Sequence, residues 1–199
     1  MENASKALIM AAGVLLGVML ISFAVYLFSV FGDYSGEVQT QMEARRVEAF
    51  NTQFTKYYGS EQRENPYDSN SERSYDGPIL CTAQDVVTIA NLAKDSNTSY
   101  GVYDDDPDYT SDNLNDMYIT VNLLNLGNKG THIENWDKNK FTNFIKENTF
   151  VKDKTTNKDD TSKAKYYYVK NVTYMNMTDS LQRVRVIEIA ELDVEAYLK

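Results

Sequence analysis

The sequence is poor in the residues that most often carry chemistry. It has one cysteine, Cys81, and one histidine, His132, among 199 residues. A single cysteine excludes an intrachain disulfide. His132 has no second histidine and no nearby cysteine, so it suits neither a zinc site nor a Ser–His–Asp triad, and we interpret it as a surface loop residue. The common phosphate-binding, nucleophile-elbow, zinc-protease and dinucleotide motifs are missing too. We therefore predict a protein that is not an enzyme, with no catalytic residue, cofactor or resident metal.

Positive charge is also scarce. Acidic residues outnumber basic residues 29 to 20, which gives a net charge of −9. A surface of that sign repels phosphate groups, so we expect no nucleic-acid partner.

One long stretch contains no charged residue at all. Ala7 to Phe31 spans 25 uncharged, mostly apolar residues. A helix of that length reaches ~37 Å, enough to cross the ~30 Å hydrocarbon core of a bilayer. The sequence therefore predicts a six-residue N-terminal tail, residues 1–6, followed by a transmembrane helix over residues 7–31.

The apolar stretch is interpreted as a retained anchor in the cell membrane. It is longer than the ~7–15 residues of a signal-peptide core, and no Ala-x-Ala cleavage site follows it, although cleavage is the alternative. Lys6 lies directly at the membrane edge, whereas Asp33 and Glu37 come first on the other side. The positive-inside rule then favours a cytoplasmic N-terminus and an extracytoplasmic head.

Small residues mark one side of this helix. Gly13, Gly17 and Ala24 form a GxxxG pattern with an extension on nearly the same face. Such a strip lets a second helix approach closely, so we predict association there with a second copy or with another membrane protein. The alternative is that glycine is simply common in membrane helices.

Residues 32–58 predict an amphipathic helix that packs on the head. Val47, Phe50, Phe54 and Tyr57 follow one another at spacings of three, four and three, which is one helical stripe. If the glycines at 32 and 36 do not interrupt it, one helix continues from the membrane segment to about Tyr57.

Residues 59–199 predict an α+β head with an antiparallel sheet of about four strands and two helices on one face. Thr82 to Asp85 resembles a capping box that opens one helix, and Asn135 is a candidate N-cap for a second helix, Trp136 to Glu147. Alternating β-forming residues predict strands at Met117 to Leu124, Ala164 to Met175 and Gln182 to Ile189, with a short candidate at Thr98 to Tyr103. Exposed loops are expected at Ser60 to Gly77 and Val151 to Lys163.

Two features of the head have a functional and a structural interpretation. Asp104 to Asp116 is rich in carboxylates that suit Ca²⁺, but Tyr109 and Asn115 stand where an EF-hand needs glycine and glutamate, so a solvated acidic turn is the alternative. Cys81 precedes a helix N-terminus, which can activate a thiol, or it is a small apolar residue that packs there.

Some stretches resemble known proteins. The opening MENASKALIMAAGVLLGVMLISFAVYLF, with AFNTQFTKYYG and AQDVVTIANLAKDSN, resembles uncharacterised single-pass membrane proteins of Clostridia-type Gram-positive bacteria over about the first hundred residues. The layout is also similar to type IV pilins and pseudopilins, although it lacks their basic leader and their glutamate at the fifth mature position. The resemblance implies an anchored, non-enzymatic, pilin-like structural or assembly component; a surface sensory or ligand-binding module is the alternative.

Overall fold

The computed structural model describes residues 2–101, 117–124, 130–152, 158–178 and 181–199. The chain divides into two compact units, Met1–Arg46 and Val47–Lys199. The acidic stretch Asp104 to Asp116, the candidate calcium loop, lies outside the described residues.

The first helix, α1, spans Glu2–Thr55. Gly32 and Gly36 do not interrupt it, since glycine in a helix interior lowers its stability by only about 1 kcal/mol relative to alanine. Within Met1–Arg46 the large apolar side chains are exposed, from Leu8 to Tyr34. By length and composition, α1 is the one helix among the described residues that could cross a membrane.

The second unit is an α+β head, which confirms the predicted fold class. Its helices are α2, Ala83–Ser99, and α3, Lys138–Glu147. Its strands are β1 Ser60–Glu64, β2 Ser74–Pro78, β3 Thr120–Leu124, β4 Gly130–His132, β5 Phe150–Lys152, β6 Asp159–Ala164, β7 Tyr166–Thr178 and β8 Leu181–Leu192. A short 3-10 helix, Val194–Tyr197, follows β8.

The main sheet has the strand order β4-β3-β8-β7. Its outer pairs, β4 with β3 and β8 with β7, are antiparallel, whereas β3 and β8 are parallel. A parallel pair requires a long connection, which here contains α3 and the separate β5–β6 pair. The sheet is therefore mixed.

The end of α1 belongs to the core of the head. Phe54 is 1% exposed, and Phe50 packs against the same cluster as residues of α2 and the main sheet. The rings of Phe50 and Phe54 meet edge to face, with centroids 5.2 Å apart. The stripe recognised in the sequence is thus the contact face of this part of the helix.

Two asparagine side chains on helices bind backbone groups in β8 and just before β3. Asn51 of α1 donates to the Gln182 carbonyl (2.7 Å) and accepts from the Val184 N–H (2.9 Å). Asn97 of α2 donates to the Ile119 carbonyl (2.9 Å) and accepts from the Ile119 N–H (2.8 Å). A primary amide has both a donor and an acceptor, so each side chain binds as a strand residue would.

Arg183 joins these elements. Its side chain is 3% exposed and lies between the rings of Phe50 and Tyr100, 4.3 and 4.8 Å from their centroids. The guanidinium donates to the Met117 carbonyl and to Ser96 Oγ, both at 2.8 Å. Burial lowers the pKa of Arg183. In the described part of the chain no carboxylate forms an ion pair with it, so aromatic faces and neutral acceptors stabilise the charge.

A smaller apolar cluster lies beneath the β1–β2 hairpin. Its buried members are Tyr75, Leu192 and Val194, and four of the residues around them are tyrosines. The Tyr75 hydroxyl donates to the Pro78 carbonyl at 2.5 Å. Burial raises the pKa of Tyr67, in the same cluster, to about 12.

Several local expectations were wrong. Ser60 to Gly77 and Val151 to Lys163 contain strands rather than only loops, and Thr98 and Ser99 belong to the last turn of α2 rather than to a strand. The N-cap of α3 is Asp137, whose carboxylate accepts from the Lys140 N–H, and not Asn135. The capping box of α2 is confirmed, with reciprocal bonds between Thr82 and Asp85.

Replacing Phe54 should destabilise the head strongly. Phe54→Ala removes a buried ring from the core, and we expect a loss of about 3–5 kcal/mol in the free energy of unfolding. Tyr58→Ala is the matched control, because Tyr58 is 46% exposed and should change stability by less than about 1 kcal/mol. Denaturant titration, followed by a spectroscopic signal of the head, measures the free energy of unfolding of both variants. Equal losses would show that the α1 contact does not stabilise the head.

Candidate functional site: the association strip and a buried carboxylate

The association strip, defined as Gly13, Gly17 and Ala24, lies along one side of α1. At 3.6 residues per turn the three positions fall within about 40° of one another. A Cβ added at Gly13 or Gly17 would meet no atom within 4 Å among the described residues. Space is therefore available beside both glycines for the backbone of another helix.

The strip continues into an apolar hollow on the same helix. Ala24 lines it together with Leu27, Phe28, Phe31 and their neighbours. Large side chains on either side of a small residue form a notch that a helix of complementary shape can fill.

In the head, the structure reveals a buried carboxylate that the sequence reasoning missed. Glu134 is fully buried and lies two residues after the end of β4. Its Oε2 accepts from the Val121 N–H at 2.9 Å, and its Oε1 accepts from the Tyr118 hydroxyl at 3.2 Å. Asn135 Nδ2 donates to that hydroxyl at 3.1 Å. The sequence signal was the alternation in Thr-His-Ile-Glu, which places His132 and Glu134 on one face of an extended segment.

His132 contacts this carboxylate and is not an isolated loop residue. Its Nδ1 lies 3.6 Å from Glu134 Oε1, and its ring is about one-third exposed. The sheet register places Asn122 opposite His132 and beside Glu188. Asn122 Oδ1 is buried without a hydrogen-bond partner in the part of the chain that the structure describes. The described residues contain no group of three side chains that could hold a metal ion, here or elsewhere.

The electrostatics of Glu134 follow from its burial. Desolvation raises the pKa of its carboxyl, opposed by the Val121 N–H, by His132 and by the Tyr118 hydroxyl. The folded state therefore binds this proton more tightly than the unfolded chain does.

Cys81 packs as a small apolar residue in the core and is not placed as an activated thiol. It is fully buried, and its backbone exchanges two hydrogen bonds with Tyr167, at 2.9 and 2.8 Å. Burial raises the pKa of the thiol to about 12, so the nucleophilic thiolate is disfavoured at neutral pH.

The stability of the Glu134→Gln variant, relative to that of the wild type, should increase as the pH rises. Because the folded-state pKa is raised, the stabilisation from the neutral carboxyl is complete below its ordinary value of 4.5 and is lost as the pH rises through the folded-state value. Glutamine stays neutral, so the stability of the variant should rise relative to that of the wild type between acid and neutral pH. Unfolding temperatures across that range measure the difference. Glu147→Gln, at an exposed position of α3, should follow the wild type, and a constant difference for Glu134→Gln would contradict the prediction.

Comparison with known proteins leaves the chain without an assigned relative. No protein-family model, curated protein or solved structure matches it. Its function must therefore be inferred from its own residues.

Proposed function

We propose that the chain is a membrane-anchored, non-enzymatic structural or assembly component with pilin-like architecture. One observation carries the proposal. The helix that contains the uncharged stretch Ala7 to Phe31 continues without a break to Thr55, and its last turns supply Phe50 and Phe54 to the core of the head. A helix that is apolar at its start and core-packed at its end suits a subunit whose anchor and head are built together.

The proposed cellular location is the cell membrane, with the N-terminus in the cytoplasm and the head outside. Length and composition of α1 support the anchor. The orientation rests on Lys6 at the membrane edge and on the acidic residues that follow the span. The proposed partners are the lipid bilayer and, through the association strip, a second copy or another membrane protein. The resemblance to single-pass proteins of Clostridia-type bacteria agrees with such a surface role.

The orientation can be tested with introduced cysteines. Cys81 is fully buried and gives little background labelling, so Ser69→Cys in the exposed β1–β2 loop and Ser5→Cys in the N-terminal tail act as reporters. In intact protoplasts, a membrane-impermeant maleimide should label Ser69→Cys, whereas Ser5→Cys should be labelled only after permeabilisation.

The wild type, with Cys81 alone, is the control for that labelling. The reverse pattern would place the head in the cytoplasm. Labelling of both positions in intact protoplasts would contradict a membrane-spanning helix between them.

Self-association should depend on the association strip. Lipid offers little hydrophobic gain from helix contact, so close packing of backbones must supply the stabilisation. Gly13→Ile with Gly17→Ile would hold the helices apart, and we expect crosslinked oligomers in membranes to disappear. A Cβ added at either glycine meets no atom of the described chain within 4 Å outside the helix's own backbone, so the loss would report a contact between chains.

Ala11→Ile with Leu15→Ile is the matched control. These positions have the same spacing and lie on the opposite side of the helix, so oligomers should persist. Equal crosslinking of all three proteins, or none in the wild type, would remove the support for an assembling subunit.

A further inference from the structure

A small pocket in the head lies beside α3, at the end of β3 and the start of β7. Its volume is about 200 Å³, and Trp136, Phe144 and Tyr167 form its aromatic side. Ring centroids are 5.6 Å apart for Trp136 and Phe144, and 5.7 Å apart for Phe144 and Tyr167. The volume is below the ~300–1,000 Å³ of pockets that enclose drug-sized ligands, so one small ring is the largest suitable occupant.

Polar groups at the pocket are held in place by one another. Lys165 Nζ and the Tyr167 hydroxyl both donate to Asn148 Oδ1, each at 3.0 Å, and Asn148 Nδ2 donates to the Phe144 carbonyl at 2.9 Å. Lys165 Nζ also lies 2.9 Å from Glu191 Oε2. A pocket with aromatic walls and a few fixed polar groups has the general character of a small-molecule site.

Lys165 and Glu191 can each form a further hydrogen bond. An ammonium has three N–H donors, of which Asn148 and Glu191 take two within the described residues. Glu191 uses one carboxylate oxygen in the ion pair and is 38% exposed. A donor and an acceptor therefore lie side by side at the pocket.

We propose that this pocket binds a neutral sugar ring. The adjacent charges of Lys165 and Glu191 cancel, so the site has no net attraction for an anion or a cation. A sugar hydroxyl both accepts and donates, so neighbouring hydroxyls can accept from Lys165 and donate to Glu191 while the ion pair stays intact. The apolar face of the ring then lies against Trp136.

The same geometry disfavours an amino-acid zwitterion. Its carboxylate and ammonium would both lose water at a site where the charges of Lys165 and Glu191, 2.9 Å apart, already offset each other. Removing two full charges from water costs more than removing the neutral hydroxyls of a sugar. The site needs neither the anchor nor self-association, so sugar binding and assembly are tested separately.

Trp136 is the chain's single tryptophan and reports directly on the pocket. The full-length chain is held in a detergent without a sugar headgroup and titrated with glucose, galactose and N-acetylglucosamine, with serine as the zwitterion. At least one sugar should change the Trp136 emission with saturation, and Glu191→Gln should weaken that binding at least tenfold.

Two further variants separate binding from folding. Glu195→Gln breaks an exposed ion pair with Lys163 of similar length, 3.0 Å, and should bind sugar as the wild type does. Thr131→Phe adds a ring at an exposed residue lining the pocket, so it should abolish binding without changing the unfolding temperature.

Three outcomes would overturn the proposal. The first is no saturable change with any of the three sugars at tens of millimolar. The second is equal sugar affinity in the wild type, Glu191→Gln and Thr131→Phe, which would place binding elsewhere. The third is saturable binding of serine in place of the sugars, which would assign the pocket to a different class of ligand.

Discussion

The head depends on satisfying the backbone polar groups of strands that pack beneath helices. A backbone N–H or C=O that is buried there and left unpaired costs about 1–3 kcal/mol. Asn97 binds both backbone groups of Ile119, and Asn51 binds β8 from the side of α1. Glu134 does the same for the Val121 N–H. These side chains supply hydrogen bonds to the backbone of β3, of β8 and of Ile119 just before β3, in addition to those that the strands exchange with one another.

Arg183 imposes a second requirement at the same junction. Its charge is held by Phe50 of α1, by Tyr100 after α2 and by the Met117 carbonyl before β3. A buried charge needs all of its neighbours, because removing one leaves it partly unsolvated. The two helices and the sheet are consequently coupled through one side chain, and α1 is a structural part of the head as well as a candidate anchor.

Regular apolar patterns in the sequence predicted the larger elements. The Val47–Tyr57 stripe, the capping box at Thr82 and the long strands β7 and β8 all follow from local periodicity or local hydrogen bonding. The β1–β2 hairpin was missed because its residues are mostly polar, and its packing comes from Tyr75 and from distant residues near the end of the chain. No local pattern encodes such contacts.

The same limit applied to the candidate sites. Asn51 and Asn97 look like ordinary polar positions of a helix, and their roles depend on strands that lie far away in sequence. Glu134 and His132 could be recognised as sharing one face, but the burial of Glu134 comes from Tyr118 and the sheet. The roles of these side chains depend on contacts with residues far away in sequence, and no local pattern predicts such contacts.

The attachment of α1 to β8 also has a mechanical consequence. A pulling force applied at Val47 would load the contact of Phe50 with Arg183, the Asn51 hydrogen bonds and the packed ring of Phe54. Beyond them lies β8, which is held on both sides by β3 and β7. Tension would therefore pass into an inner strand of the sheet and be shared with its two neighbours.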